Sequence, residues 1–365
     1  MMAFPGLWRR VFAGPSLAAS LDLGAPEIAW NPFPHYELLR RDGSVQSLPR
    51  HDAWIVLGYD DVQAAFGQPQ VFSNRGYAGV DRVLLGADPP EHAAVRRVVS
   101  QDFSAEAVER VVGFAERRAE SLLRPRMDVV SEYAMPLSAS VAPQLLGLDD
   151  EKLDRILSVR RSEAPDHEVL FRAVDAVAAD TAIYARLVRE GMSEADARSV
   201  ARLLWLAATM TTERAISHCV LRLLRHDEAR DLAHVPAFVD EVLRLHPPEL
   251  LVPRVTTQRV QLGGVRLPAN ATVYLCIAAA NRDPAKFEAP AELRLDRAAV
   301  RIFTFGSGIH HCLGATVGRR VVQTAVRTLL THAPRFRAAQ RLEDLVGWCS
   351  KTACPIARLV IEDGR

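Results

Sequence analysis

The stretch TFGSGIHHCLG, residues 304–314, places glycines, two adjacent histidines and one cysteine immediately before a segment with helical spacing. Glycine carries no Cβ and lets backbone approach a bulky object closely. A helix N-terminus presents unpaired N–H groups and positive potential, which lower the pKa of a nearby thiol. We therefore expect Cys312 to be held as a thiolate on an open, glycine-lined loop.

Four kinds of site can be considered for this stretch, namely a phosphate-binding loop, a zinc site, a buried structural thiol and a heme-iron ligand. A dinucleotide-binding loop needs a third glycine where His311 stands, and no Lys-Ser or Lys-Thr follows to make a P-loop. Zinc would need His310, His311 and Cys312 to converge, although consecutive residues seldom do and no second ligand cluster is evident. A buried structural thiol is the plainest alternative. A thiolate on an open loop also suits heme iron, which takes cysteine as a strongly electron-donating axial ligand.

The composition restricts the class of protein. The chain has 365 residues, 49% of them hydrophobic, and a formal net charge of +1 from 45 basic and 44 acidic residues. This balance gives no reason to expect a nucleic acid or an anionic membrane as partner. Prolines and arginines interrupt the apolar residues near the N-terminus, which argues against a membrane span or a secretion signal. The five cysteines are scattered without a CxxC pair, so we expect a reduced, cytoplasmic, monomeric protein.

The patterning predicts a mainly α fold in a single domain over 1–365. β-rich parts are expected near 30–60 and 250–280, with a helical core over 89–247 and a last long helix over 313–333. The longest helix begins at residue 194 behind a capping box, in which Ser193 and Asp196 cap the helix start. Its middle is apolar on all sides, so it should run through the core. Another long helix is expected over 167–191.

The loop resembles the heme-binding loop of the cytochrome P450 superfamily, F-G-x-G-x-H-x-C-x-G. All six fixed positions match, and they are Phe305, Gly306, Gly308, His310, Cys312 and Gly314. The resemblance implies the P450 fold, heme b as cofactor and Cys312 as the proximal iron ligand. It also implies that Phe305 packs near that ligand and that His310 reaches a heme propionate. His311 occupies a variable position and is given no role.

Three further motifs follow the order of the same family. EVLR, residues 241–244, is similar to its E-x-x-R motif, and Glu241 and Arg244 are spaced to pair on one helix face. DPPEHAAVRR is similar to its propionate-binding helix and points to His92 and Arg96, two cationic groups suited to carboxylates. LVPRVTT looks like the strand that supplies another propionate ligand, here Arg254. Taken singly, each motif is also compatible with surface arginines and a satisfied histidine.

The central helix departs from the family pattern. The family's central helix usually carries the motif A-G-x-[Asp or Glu]-T-T, and the corresponding residues here, 207–212, are AATMTT. Thr211 falls at the oxygen-activating threonine and Thr212 follows it, but Ala208 replaces the glycine and Met210 replaces the acid. A methionine side chain cannot relay protons. A substrate group or an ordered water chain could supply the proton, the enzyme could use peroxide or carry out coupling or nitration, or the protein could be a poor oxidase.

A second departure concerns the E-x-x-R pair. The family often places an arginine before the heme loop to join this pair, and Glu292 stands at that position, with Arg294 two residues on. Either Arg294 substitutes through a local shift, or Glu241 and Arg244 stand without a third partner.

The resemblance also places a substrate pocket on the distal side of the heme. Its walls are expected to include Tyr77–Leu85, Arg160–Glu168 and a C-terminal turn with Lys351 and Thr352. The expected pocket residues of the central helix and the following strand are Leu206, Thr209, Met210, Leu250, Leu251 and Val252. The implied partners are a small-molecule substrate and a ferredoxin-type electron donor, attracted by Arg319 and Arg320, or peroxide. A heme-binding protein without turnover and a zinc-containing structural module are the alternatives of other classes.

Overall fold

The computed structural model describes residues 17–25, 28, 31–77, 82–147, 175–342, 345 and 352–364. This part of the chain is mainly helical, as the sequence predicts. Its α-helices are α1 Leu17–Ser20, α2 Phe33–Asp42, α3 Tyr59–Phe66, α4 Glu91–Val99, α5 Ala105–Leu122, α6 Met135–Leu146, α7 Ala182–Arg189, α8 Glu194–Leu223, α9 Val235–Leu245, α10 Ile277–Ala280 and α11 Ala315–His332. The predicted pocket segment Arg160–Glu168 and Lys351 lie outside the described residues.

Short strands form three small sheets beside the helices. The strands are β1 Val45–Leu48, β2 Ala53–Val56, β3 Phe72–Ser73, β4 Arg126–Asp128, β5 Leu251–Thr256, β6 Val260–Leu262, β7 Val265–Leu267, β8 Thr272–Cys276, β9 Arg337–Ala338 and β10 Val360–Glu362. The largest sheet has the order β1-β2-β8-β5-β3, in which only β2 and β8 run parallel. The strand β5 lies directly after α9 in the chain, so the sheet fixes the segment that joins them.

The central helix α8 organises the core. It packs against α6, α7 and α11, and most of its second half is buried. Its N-cap Ser193 accepts a hydrogen bond from the backbone N–H of Asp196 at 3.1 Å, which confirms the predicted cap. A helix buried on several faces has no polar side to present to water, which explains its uncharged middle. None of the helices in the described ranges is long and apolar enough to cross a membrane.

Three predicted boundaries are wrong. The part near 30–60 contains α2 before its strands, because Pro32 and Pro34 occupy the start of a helix, where proline is tolerated. The last helix begins at Ala315 rather than at residue 313, with Gly314 as its N-cap. The helix expected over 167–191 is interrupted in its described part, because the Thr181 hydroxyl accepts a hydrogen bond from the N–H of Tyr184 at 3.1 Å and caps a new helix.

Candidate active site

The cysteine loop is shaped by its own backbone. The N–H of Cys312 donates to the carbonyl of Phe305 at 2.8 Å and closes the loop. Gly306 and Gly308 have φ of +67° and +68°, a left-handed conformation that favours glycine. A Cβ at Gly308 would overlap the carbonyl oxygen of Phe66. The glycines are therefore required by the turn and by its close approach to α3.

Cys312 lies in the wall of a cavity of about 240 Å³, called here the central cavity. The loop, α4, α8 and α11 build most of its wall. Described residues that line it include Leu84, Leu85, His92, Arg96, Asp102, Phe103, Val141, Ala142, Leu145, Leu203, Leu204, Ala207, Ala208, Thr211, Thr212, Glu249, Phe305, His310, Cys312, Gly314 and Val317. The cavity thus brings together the cysteine loop, the predicted propionate helix and the two threonines of the central helix.

The protonation of the Cys312 thiol differs from the expectation. The residue is exposed because it faces the cavity, but protein encloses its other sides, and this burial raises the pKa of the thiol. The Gly314 N–H and the charge of Arg96 act in the opposite direction and do not outweigh burial. The helix terminus alone therefore does not hold a thiolate here. A metal cation at the sulfur would, since coordination deprotonates a thiol.

Two histidines and an arginine stand at one edge of the central cavity. The rings of His92 and His310 have centroids 4.1 Å apart, and the Nε2 atoms of both are buried with no hydrogen-bond partner among the described residues. Burial first, then His92 and Arg254, lower the pKa of His310 to about 3, so it is a neutral ring at neutral pH. Arg96 donates to the carbonyl of His311 at 2.6 Å. Such a group of donors is suited to carboxylates that enter the cavity.

These features fit heme b. The mostly apolar wall suits the macrocycle, the exposed thiol of Cys312 suits the iron, and the unpartnered Nε2 atoms of His92 and His310 suit the propionates. Among the described residues no three His, Cys, Asp or Glu side chains are grouped as metal ligands, so the zinc alternative has no geometric support.

Arg254 is placed less directly than expected. It is buried, but it is not among the described residues that line the central cavity. Its guanidinium lies over the Phe66 ring, 5.3 Å from the centroid, donates to the carbonyl of Pro253 at 2.7 Å and hydrogen-bonds Tyr77. It nevertheless lies close enough to lower the pKa of His310.

The Glu241–Arg244 pair forms as predicted, but neither predicted account of its third partner is correct. Arg244 donates from Nε and Nη2 to the two carboxylate oxygens of Glu241 at 2.7 and 2.9 Å. The third partner is Arg297, whose Nε lies 3.0 Å from Glu241 Oε1. Arg294 contributes only its backbone N–H, at 3.1 Å, because its side chain pairs with Glu288 and Asp296.

This ion-pair group is connected to the cysteine loop. Arg244 donates to the backbone carbonyl of Asn281 at 3.0 Å. The side chain of Asn281 donates to Thr304 Oγ1 at 3.0 Å and accepts from the N–H of Phe303 at 2.7 Å. Phe303 and Thr304 lead directly into the loop, so the pair supports the segment that positions Cys312.

The central helix presents one face to the cavity. Ala208, Thr211 and Thr212 line the central cavity, and the Thr211 hydroxyl donates to the carbonyl of Ala207 at 2.6 Å. Among the described lining residues, Met210 is absent. Met210, which stands where the family has an acidic residue, therefore does not line the central cavity.

The predicted substrate-pocket residues of the central helix and the following strand are not among the described residues that line the central cavity. Leu206 and Thr209 fall on other faces of α8, and Thr209 is buried with its hydroxyl donating to Trp205 at 2.8 Å. Leu203, Leu204 and Ala207 take the expected place. Leu250, Leu251 and Val252 turn into the packed clusters around the five-stranded sheet.

Glu249 is the functional candidate that the sequence analysis missed. Its side chain is 39% accessible because it faces the central cavity, and it forms an ion pair with Arg214 of the central helix. Burial raises the pKa of this carboxyl, although Arg214 and a hydrogen bond with Thr352 act to lower it. The sequence feature that could have indicated Glu249 is its position as the one acidic residue within the apolar run PPELLVP.

Arg319 and Arg320 are not free charges. Arg319 Nε lies 2.7 Å from Asp240 Oδ1, and its guanidinium lies over the Phe305 ring at 5.0 Å. Arg320 Nη2 lies 3.0 Å from Glu109 Oε2. Each positive charge is thus paired with a carboxylate, and the attraction of these arginines for an acidic electron donor stays a prediction.

Comparison with known proteins gives consistent matches. The family model described as "Cytochrome P450" matches residues 222–336. The chain is 31% identical over 366 residues to cytochrome P450-SU2 of Streptomyces griseolus, covering 88% of this chain and 91% of that protein. It is 32% identical over 350 residues to the cyclomarin C epoxidase CymV of Salinispora arenicola, covering 83% and 86%. The solved structure of the ligand-free P450 monooxygenase TamI matches with a TM-score of 0.84 and 26% identity, covering 96% of each chain.

Proposed function

Because the chain belongs to the cytochrome P450 family, we propose that it is a heme-thiolate monooxygenase that oxidises a lipophilic small molecule with dioxygen. Heme b, the cofactor, supplies the iron centre at which dioxygen is activated. Cys312 would bind the iron through Sγ, and His92, Arg96 and His310 would bind the propionates. The exposed thiol in the cavity that Thr211 also lines is the observation that carries this proposal.

A carbon monoxide spectrum of the reduced protein tests the assignment of Cys312. A thiolate opposite the bound gas gives a strongly red-shifted Soret band, which we expect for the wild type and not for Cys312→Ala. Cys354→Ala is the matched control, because Cys354 lies outside the wall of the central cavity. A spectrum of Cys312→Ala equal to that of the wild type would mean that another residue binds the iron.

Within this function, Glu249 is proposed to hold the proton that Met210 cannot hold. Monooxygenation consumes two protons and two electrons for each oxygen atom inserted, the other oxygen leaving as water. Arg214 follows Thr211 by three residues on α8, so the paired Glu249 is held near the same helix face. Burial raises the pKa of this carboxyl, so it takes up a proton more readily than an exposed glutamate does.

The proton assignment is tested by the ratio of product formed to electrons consumed. We expect Glu249→Gln to divert electrons to peroxide and to retain the red-shifted Soret band. Placing a carboxyl at the family's position with Met210→Glu in the Glu249→Gln background should change this ratio little, since Met210 does not line the cavity. If Glu249→Gln forms as much product per electron consumed as the wild type, Glu249 does not supply the proton.

A second candidate is atypical P450 chemistry, namely peroxide-driven oxidation, oxidative coupling or nitration. The observation that favours it is the absence of an acid at Met210. Turnover with hydrogen peroxide that exceeds turnover with reduced ferredoxin would support it. A thiolate-ligated heme with no turnover from either source would instead support a non-catalytic heme protein.

The proposed substrate class and electron donor rest on the relatives and on the cavity. A relative is named as an epoxidase of cyclomarin C, and the wall of the central cavity is mostly apolar. We therefore propose a lipophilic intermediate of secondary metabolism as substrate and a ferredoxin-type protein as donor. Reduction by a bacterial ferredoxin, compared with a flavodoxin at equal potential, tests the donor.

A further inference from the structure

A second cavity, of about 420 Å³, lies at the far end of the central helix and is called here the basic cavity. Its wall contains Arg214, His218 and Arg222 from the C-terminal part of α8, Arg225 just after that helix, His246 after α9, and Arg282. Among its described lining residues there is no aspartate or glutamate. Four guanidinium groups in one wall without a lining carboxylate repel one another, and Arg214, Arg222 and Arg282 also lose part of their water because they are buried or half-buried.

Among the described residues, two of the four arginines make no side-chain hydrogen bond or ion pair. The side chains of Arg222 and Arg225 form no hydrogen bond or ion pair with described residues, and the Nε of Arg222 is buried without a partner. Arg282 donates to the carbonyl of Leu245 at 3.1 and 2.7 Å and packs on the Phe33 ring at 3.8 Å. Arg214 forms an ion pair with Glu249, and it is the only one of the four with an ion pair to a described residue.

The two histidines add unpartnered polar atoms to the same wall. Their rings stack with centroids 4.9 Å apart and an angle of 9° between planes. The Nε2 of His218 hydrogen-bonds the carbonyl of Cys354 at 3.0 Å. The other ring nitrogen of His218, Nδ1, and the Nε2 of His246 are buried and have no hydrogen-bond partner among the described residues. Buried polar groups without partners are rare in folded proteins and commonly indicate a site for an ion, water or ligand.

We propose that the basic cavity binds a small organic phosphate. Guanidinium groups match the geometry and charge of phosphate oxygens, and Arg222 and Arg225 are available for it. The volume exceeds that of a bare oxyanion, and the wall also contains Phe33 and Leu221, which can contact an organic body.

The proposal is tested by calorimetric titration of the full-length holoprotein with phenyl phosphate, inorganic phosphate and phenol at constant ionic strength. We expect phenyl phosphate to bind most tightly and phenol not to bind at this site. Arg222→Gln and Arg225→Gln should each weaken phenyl phosphate binding about tenfold or more, as loss of a charge-assisted hydrogen bond predicts. Arg110→Gln, an exposed arginine outside both cavities, should bind as the wild type does.

Thermal unfolding without any anion provides a second measurement. Removing an unpaired, half-buried cation should leave the melting temperature of Arg222→Gln unchanged or raise it, while phenyl phosphate stabilises this variant less than the wild type. A structural arginine would give the reverse, a lower melting temperature and unchanged phosphate binding, and that result would overturn the proposal. Equal affinity for inorganic phosphate and phenyl phosphate would contradict the proposal that the ligand is organic. Equal affinity of Arg110→Gln and the double variant Arg222→Gln/Arg225→Gln for phenyl phosphate would contradict the proposal that the basic cavity is the binding site.

Discussion

Arg214 and Glu249 form an ion pair between the two cavities, since Arg214 lines the basic cavity and Glu249 lines the central one. Pro248, whose carbonyl accepts from Arg214 Nη1 at 3.2 Å, lines both. The protonation of Glu249 therefore depends on a residue whose guanidinium also faces the basic cavity. Burial raises the pKa of Glu249 and Arg214 opposes that rise.

Arg214→Gln should raise the pKa of Glu249 further, because the carboxylate loses its positive partner. If protonated Glu249 is needed for coupled turnover, the alkaline limb of the pH profile of coupling moves to higher pH. The profile is measured as product formed per electron consumed over the whole pH range in which both proteins stay folded. Arg222→Gln is the control, since Arg222 does not contact Glu249 among the described interactions, and an unmoved alkaline limb in Arg214→Gln would contradict the role of Glu249.

Arg297→Ala should destabilise the protein, because a buried carboxylate loses one of its two arginine side chains. Glu241 is 8% accessible and Arg297 11%, so water replaces the lost contact poorly. The expected loss in the free energy of unfolding is about 1.5–3 kcal/mol, measured by urea denaturation. Arg294→Ala keeps the backbone donor to Glu241 and should change stability by less than about 0.5 kcal/mol. Equal losses in the two variants would mean that the third partner is misassigned.

This pair also shows what could be predicted from sequence. Glu241 and Arg244 are three residues apart on one helix, so their contact follows from helical geometry alone. Arg297 approaches from an irregular segment, and its side chain reaches Glu241 only through the path of residues 288–297, which no periodicity describes. Arg294 lies nearer the aligned position, but two local carboxylates hold its side chain.

The residues of the central cavity also include some that could be predicted from the sequence and some that could not. The glycines and the cysteine of the loop could be predicted because a tight turn needs those residue types at fixed spacing. The pocket residues could not, because the phase of α8 relative to the cavity depends on packing against α6, α7 and α11. A shift of one residue in such a helix moves a side chain by roughly 100° around the axis, which explains why Leu206 was expected in place of Ala207. Likewise Leu250 was expected where Glu249 stands.

Gly308→Ala should disrupt the cysteine loop. A left-handed φ of +68° costs an alanine about 1–2 kcal/mol, and the new Cβ would also overlap the carbonyl oxygen of Phe66, which belongs to α3. We expect reduced heme content at purification and a weaker red-shifted Soret band. Gly113→Ala is the matched control, because Gly113 lies inside α5 and its added Cβ would meet only the end of Arg117 at 3.7 Å. Full heme content in Gly308→Ala would show that the loop can move away from α3.

The stability of the protein should fall as the pH drops below neutral, because two buried histidines resist protonation. Burial first, with Arg222 and Arg214 also contributing, lowers the pKa of His218 to about 4, and burial, His218, Arg282, Arg222 and Arg225 lower that of His246 well below its usual range. The unfolded chain then binds more protons than the folded one between about pH 6.5 and pH 4.

The two neutral histidines therefore contribute fully to the free energy of unfolding above about pH 6.5, the pKa of histidine in the unfolded chain, and this contribution is lost as the pH falls from about 6.5 to about 4. For His218 alone the expected loss between pH 7 and pH 5 is about 2 kcal/mol, measured as the free energy of unfolding in urea without phosphate. His218→Gln keeps a polar side chain that cannot titrate, so its stability should fall less over the same interval. Phenyl phosphate should reduce the loss in the wild type, since an anion in the basic cavity favours the protonated rings. A pH dependence that is the same in His218→Gln as in the wild type would assign the loss to carboxylates elsewhere in the chain.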